Sequence, residues 1–327
     1  MRIRILDETT TRGLIGPREA IARCRAAFAQ LARGEVELPD VLTIEIPAHH
    51  GEVHAKGGYL HGAPRFAIKV ATGFYDNPKR GLPSTSGAVW VFDATTGFLD
   101  TIILDNGFLT ELRTGAAGAV AADLLAREHI DTVAVIGAGA QARYQLEALL
   151  EVRSPKSVLV WSRTEARAAQ YAEEMSRDHG VPVGVARSAR EAVQAADLVI
   201  TTTPAEEPVV RDEWVRPGTH ITAMGSDMAK KRELESALLA RSKVVVDRLS
   251  QCLTQGELHH AVAEGVMSAS QVYAELGEIA AGLKPGRVSA EEITIADQTG
   301  VGILDAAVAG FVAERADALG LGRWIEA

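Results

Sequence analysis

"DTVAVIGAGAQARYQLEALLEV", Asp131 to Val152, runs through an apolar stretch at Val133–Ile136, two glycines one residue apart, and an amphipathic segment. Gly137, Gly139 and Ala142 stand in the order G-x-G-x-x-A. On its own that order says little; a strand before it and a helix after it make it a phosphate-binding turn. Gly137 permits the tight turn, Gly139 lets the backbone approach a pyrophosphate, and Ala142 allows close contact of helix and strand. Amides at the helix start, at Ala140 and Gln141, then face the phosphates with favourable dipole sign. The competing reading is a packing turn that holds no ligand.

The tip of the next strand selects the dinucleotide. NAD sites place an acid there for the ribose hydroxyls, whereas an arginine suits a 2′-phosphate. "VLVWSRTEARA" offers Ser162, Arg163 and Thr164 and no acid at the tip. This favours NADP(H) over NAD(H); the alternative is a solvent-facing arginine with NAD(H) bound. Further on, "ITTTP" ends another strand, and Thr202 and Thr203 fall where the nicotinamide ribose passes. Strands and helices alternate from "SVLVWSRT" through "DLVITTTP", "HITAMGS" and "SKVVVDR", which specifies parallel βαβ units.

Before this region the pattern differs. A helix is expected over "GPREAIARCRAAFAQLARGEV", with Pro17 in its first turn and Gly34 as its stop. Then come "LTIEIPA", "EVHAKGGYLHG", "RFAIKVATGF" and "GAVWVFDATTGFLDTIIL", strands without helices between them. They predict an antiparallel, curved or barrel-like sheet. "FLTELRTGAAGAVAADLLAREH" reads as a helix with one small-residue side. The fold class is therefore α/β: a Rossmann dinucleotide-binding domain over 119–303, plus an α+β domain over 1–118, to which the family resemblance described below assigns substrate binding and dimerisation. The C-terminal helix, 304–327, returns to the latter.

With 327 residues, 47% apolar and 24% charged, the chain has the composition of an ordinary enzyme. A net charge of -9 with no basic block argues against a nucleic-acid binder. "AKKRELE" (Ala229–Glu235) reads as a solvated helix start. Two cysteines, Cys24 and Cys252, form neither a zinc pattern nor a disulfide framework. The adjacent histidine pairs diverge on any regular element, so no metal site is expected. Without a signal-like start or a spanning apolar run, a cytoplasmic protein with no membrane partner is expected.

Lys69 poses the sharpest question, because "AIKV" puts an ammonium inside an apolar strand, where an unpaired charge is costly. Either it snorkels to water or something anionic meets it.

"LTELRTGAAGAVAADLLA", "VAVIGAGAQARYQLEAL" and "AMGSDMAKKREL" together resemble the ornithine cyclodeaminase/mu-crystallin family, over about residues 40–305. "GFYDNP…GLPSTSG" is similar to the cyclodeaminase-like proteins of ectoine utilisation. The resemblance implies a homodimer, a nicotinamide cofactor and chemistry at the Cα of an amino or imino acid. Lys69 and Arg113 match the lysine and arginine that face the substrate α-carboxylate, so the expected partner of Lys69 is the ligand. Asp227 matches the family aspartate beside the nicotinamide ring; it also reads as an N-cap for a helix "MAKKRELESALLA". Thr85 and Ser86 are expected at cofactor phosphate or ribose, Gly225 at the cofactor, and Thr299 near the nicotinamide.

One departure from the family matters. Where ornithine-specific members carry a glutamate, this chain aligns Lys56, with His54 on the same strand face. A lysine there repels a cationic side chain and attracts an acid. The expected reaction is reduction of an α-imino acid to an L-amino acid, or its reverse, with an acidic pair such as iminosuccinate/aspartate. Alternatives are ammonia-releasing cyclisation of a diamino acid and a non-catalytic, crystallin-like NADPH-binding protein.

Overall fold

The computed structural model describes residues 2–326. It divides into a first unit, residues 1–113 with 301–327, and a second unit, residues 114–300. The first unit contains β1 (Arg2–Asp7), β2 (Val36–Glu37), β3 (Leu42–Ile46), β4 (Gly51–Leu60), β5 (Arg65–Phe74), β6 (Thr85–Asp93) and β7 (Leu99–Leu104). The second contains β8 (Thr132–Ile136), β9 (Ser157–Trp161), β10 (Val183–Val185), β11 (Leu198–Thr201), β12 (His220–Ala223), β13 (Lys243–Val246), β14 (Ala274–Glu275) and β15 (Thr294–Asp297). A last strand, β16 (Arg323–Glu326), belongs to the first unit.

The first sheet has the order β16-β1-β7-β6-β5-β4-β2, with β3 also on β4. It is open rather than a closed barrel. β4, β5 and β6 pair antiparallel, as successive strands without helices between them predict. The β1–β7 pair is parallel, and β1–β16 joins the two ends of the chain. Neither terminal strand is among those expected, and in "RIRILD" the fold buries an arginine, Arg4. Arg4 donates to the Ala313 carbonyl at 3.2 Å, pairs with Asp317 and lies over the Trp324 ring. A charged side chain with that many partners can sit inside. The expected helix near Pro17 is found at Pro17–Ala32, and Gly34 follows it at φ 70°.

Helix Gly302–Leu319 packs on β4, β5 and helix Pro17–Ala32. Its start lies on bare backbone: a Cβ on Gly302 would come 2.7 Å from the Gly57 nitrogen and oxygen. Glycine at 302 is what allows this approach, which puts the first turn of the helix over the strand pair β4–β5.

The second sheet is parallel throughout, in the order β10-β9-β8-β11-β12-β15-β13-β14. Alternate residues feed the two faces. Val133, Val135, Val158 and Val160 enter one core, while Ala134, Ile136, Val199 and Ile221 enter the other. The small-residue side of helix Phe108–Leu125 is used as expected, Gly115 and Gly118 lying against Tyr144 and Gln145. From β8 the chain runs outward to β9 and β10, then returns to β11 on the other side of β8. That reversal is the switch point where open parallel sheets bind ligands. Among the described residues no helix is long and apolar enough to cross a membrane.

One expected helix is absent. Residues 224–235 form an irregular loop, and only Ser236–Ala240 is helical. "AKKRELE" is not a solvated helix start either, since Glu233 is fully buried and Lys231 nearly so. Asp227 therefore has no helix to cap. The run has no apolar stripe to seat a helix, and buried contacts of Glu233 hold the loop instead.

Candidate active site

In the second unit, the glycine turn joins β8 to helix Ala140–Leu150 at the switch point. Gly137 has φ 115°, and a Cβ there would meet the Thr202 hydroxyl at 2.6 Å. Thr202, just past β11, donates its amide to the Ile136 carbonyl at 2.9 Å, so the tips of β8 and β11 are knitted together. Gly139 is different: its backbone is ordinary, at φ −83°, and a Cβ would meet nothing within 4 Å. The fold itself does not need glycine there. The bare backbone suits a group that must approach the amides closely, and the residues present fit a dinucleotide pyrophosphate. Ala142 is fully buried, as helix–strand contact requires, and Gln141 accepts from Gln145 at 3.0 Å.

Arg143 is a support that sequence reasoning missed. Its guanidinium donates to the carbonyls of Ala138 and Gly139 at 3.1 and 3.0 Å and pairs with Glu174. A helix-face arginine in sequence looks no different from a solvated one. At the tip of β9, Ser162 is half-buried and Arg163 and Thr164 are exposed; Arg163 makes no ion pair among the described residues. Thr164 begins helix Glu165–His179 and its amide lies 3.4 Å from the Ser162 hydroxyl.

The tips of β11 and β12 hang on Glu233. Its carboxylate accepts from the Thr201 hydroxyl at 2.6 Å and from the amides of Thr203 and Gly225 at 2.5 and 2.8 Å. Three further buried acids continue the series. Glu257 accepts from the Glu233 and Leu234 amides, Asp297 from those of Glu257 and Leu258, and Asp247 from those of Thr299 and Gly300. The Thr299 hydroxyl donates to Asp247 at 3.1 Å. Burial raises the Glu233 carboxyl, pushes Glu257 well up with help from Glu233 and Asp297, and brings Asp297 to about 7. Asp227 stands at the edge of this loop with its side chain about half exposed, and Lys231 donates to it at 2.6 Å.

In the first unit, Lys69 does not snorkel: its side chain is 3% exposed. Arg113, near the start of helix Phe108–Leu125, is 4% exposed rather than a surface charge. Both turn to a residue the sequence reading did not name. Asp305, in the first turn of helix Gly302–Leu319, accepts at Oδ1 from Lys69 Nζ at 3.1 Å and Arg113 Nε at 3.0 Å. The ammonium thus has a fixed protein counter-ion, where sequence reasoning supplied only a ligand. An aspartate early in an apolar helix reads as an ordinary first-turn acid, which is why it passed unnoticed. Burial lowers the Lys69 ammonium to about 8 despite the carboxylate. Burial would raise the Asp305 carboxyl, but Arg113 and Lys69 outweigh it and hold the carboxyl below its ordinary value.

Lys56 stands directly opposite Lys69 in the β4–β5 register, so the two side chains share a face. His54 and Glu52 follow on that face, their side chains 3.6 Å apart; the His54 ring also meets the Thr43 hydroxyl at 3.1 Å. Thr85 pairs with Gly73 and Ser86 with Thr72, so their side chains leave opposite faces of β6. Both residues are exposed. Among the described residues no group of three His, Cys, Asp or Glu is arranged to hold a metal ion.

The chain as a whole is similar to known proteins. The model of the ornithine cyclodeaminase/mu-crystallin family matches residues 5–319. A solved archaeal alanine dehydrogenase dimer with bound NAD is 37% identical, covers 100% of this chain and 99% of its own, and superposes with a TM-score of 0.94. The Δ1-pyrroline-2-carboxylate reductase of Thermococcus litoralis, in complex with NADH and L-proline, is 36% identical over 98% and 99% of the two chains, at 0.95. The iminosuccinate reductase of Paracoccus denitrificans, in complex with NAD+, is 33% identical over 100% of both, at 0.91. This chain belongs to the ornithine cyclodeaminase/mu-crystallin family.

Proposed function

We propose that the protein is an NAD(P)H-dependent enzyme that interconverts an α-imino acid and the corresponding L-amino acid. The observation that carries this reading is the buried pair of Lys69 and Arg113 around Asp305. Two cations against one carboxylate leave one positive charge to be met, and a substrate carboxylate meets it. Arg113 has its Nε taken by Asp305, and no described residue bonds to its two terminal nitrogens. Those form the fork that grips a carboxylate in bidentate fashion, while Lys69 adds a point charge. Holding the carboxylate fixes the position of Cα. When bound, the dinucleotide supplies or accepts the hydride at that carbon. Asp227, half-exposed and paired with Lys231, exchanges the proton at the substrate nitrogen. Asp227→Asn should therefore lower kcat about a hundredfold with little change in the KM for cofactor, measured at saturating imino acid. A drop under fivefold would remove the carboxylate from the chemistry.

Lys56 gives the substrate an acidic side chain in this reading, with iminosuccinate/aspartate as the pair. Arg163 gives the cofactor a 2′-phosphate, so NADPH is preferred, although the similar structures bear NAD or NADH. Leu42, Ile44 and Ile68 expose large apolar side chains on the first unit, and a second copy of the chain covers them in the proposed homodimer.

The test is a panel of imino acids generated in solution (acidic, small, cyclic and basic), each followed at 340 nm with NADPH and NADH. Net oxidation of a dinucleotide is expected, fastest with the acidic imine. Lys56→Glu should shift preference toward basic substrates about tenfold or more. No absorbance change with any imine would defeat the reductase reading. Ammonia release from a diamino acid without net cofactor change would establish cyclodeamination in its place.

A further inference from the structure

We propose that Asp305 is the positioning residue of the carboxylate cradle: it keeps Lys69 protonated and turns the free end of Arg113 toward the ligand. This rests on the functional reading above and adds to it the residue that makes the cation pair usable.

Among the described residues, all the side-chain hydrogen bonds and ion pairs of Asp305 go to these two cations. Oδ1 receives both Lys69 Nζ and Arg113 Nε, and Oδ2 is buried without a partner among the described residues. A structural acid of this burial ordinarily holds backbone amides, as Asp105 does for Gly107 and Leu109. Asp305 holds none, so its two bonds serve the cradle rather than the helix.

The charges facing Lys69 come from every element packed around it. Arg113 and Lys56 lie near enough to disfavour its proton, as does burial itself. Asp105, in the turn before helix Phe108–Leu125, also feels Lys69, but its own carboxyl is raised by burial and spent on backbone amides. Cys24, beneath Arg113, adds no charge, because burial pushes its thiol up to about 12. Asp305 alone has both a strong attraction and a direct hydrogen bond that favour the ammonium. Without it, Lys69 and Arg113 would face each other with no shared carboxylate between them, and the proton on Lys69 is the one that can leave.

The geometry has a second effect. An arginine bonded through Nε presents its two terminal nitrogens side by side at the opposite edge. That is the edge a carboxylate needs for two parallel bonds. Asp305 thereby sets the aim of Arg113 as well as the charge of Lys69.

The experiment uses full-length protein carrying 13C,15N-lysine, with the Lys69 signal assigned by its loss in Lys69→Arg. In wild type, Lys69 should titrate near 8. In Asp305→Asn the midpoint should fall by about one unit or more, with Asp305→Glu restoring most of it. In parallel, Asp305→Asn should raise the KM for imino acid about 30-fold at pH 7.5 with kcat altered by under about threefold. The alkaline limb of kcat/KM should move to lower pH, since that profile reports the free enzyme. The KM for cofactor should not move.

An unchanged Lys69 midpoint in Asp305→Asn, or an unchanged KM for imino acid, would overturn the proposal. Should Asp305→Asn not fold, Asp305→Glu decides, because a longer carboxylate must displace both cations and change KM. If wild type reduces no imine, the functional reading falls, while the lysine titration still decides whether Asp305 governs Lys69.

Discussion

Replacing Arg113 by alanine should lower kcat/KM for the imino acid about a thousandfold, most of it in KM. The side chain is buried, already anchored through Nε, and offers two donors in a fixed plane. Its loss removes both bonds to the substrate carboxylate and leaves Asp305 neutralising Lys69, so the carboxylate loses its bidentate partner and the net charge that draws it. Arg113→Lys should recover only a small part, because an ammonium cannot make two parallel bonds while also reaching Asp305. Steady-state kinetics at saturating cofactor, with melting curves to confirm folding, check this. A loss smaller than tenfold in a well-folded variant would place the carboxylate elsewhere.

The second large effect comes from separating the two glycines of the nucleotide turn. Gly139→Val should fold with its melting temperature within a few degrees of wild type, because a Cβ at this position meets no protein atom within 4 Å. The same side chain stands where a pyrophosphate must touch the helix-start amides, so dinucleotide affinity should fall by at least about a hundredfold. Gly137→Ala should behave in the opposite order. A φ of 115° and a 2.6 Å approach to the Thr202 hydroxyl strain the turn itself, costing about 2–4 kcal/mol of stability. Melting with and without NADPH or NADH separates the cases through the stabilisation a bound ligand gives. If Gly139→Val retained the full cofactor-induced rise, the turn would not be the phosphate site.

The parallel sheet was legible because it is encoded locally: Val133–Ile136, then glycine, then an amphipathic helix, repeated with variations. Lys69 stood out because a charge in an apolar frame is conspicuous, whereas Arg113 was named only through the family resemblance. Asp305 was not, since its significance depends on a contact 192 residues away in sequence from Arg113. Glu233 hid for a related reason. Inside "AKKRELE" it looks like one of several solvated charges, and only the tertiary structure buries it. The terminal strands were missed because β1 and β16 make sense only when paired with each other and with β7. Long-range pairing leaves little trace in either partner alone.

The buried acids Glu233, Glu257 and Asp297 make the rim of the second unit a reservoir of hydrogen ions. Because the folded carboxyl of Asp297 sits at about 7 and those of Glu233 and Glu257 are also raised, the native chain retains protons that an unfolded one would release. The stabilising share of those protons is complete in acid, below the ordinary carboxyl range, and is withdrawn as the medium turns alkaline through neutrality. Mild alkalinity thus charges carboxyls held away from water and draws on the stability of this unit, while leaving the apolar layers beneath untouched.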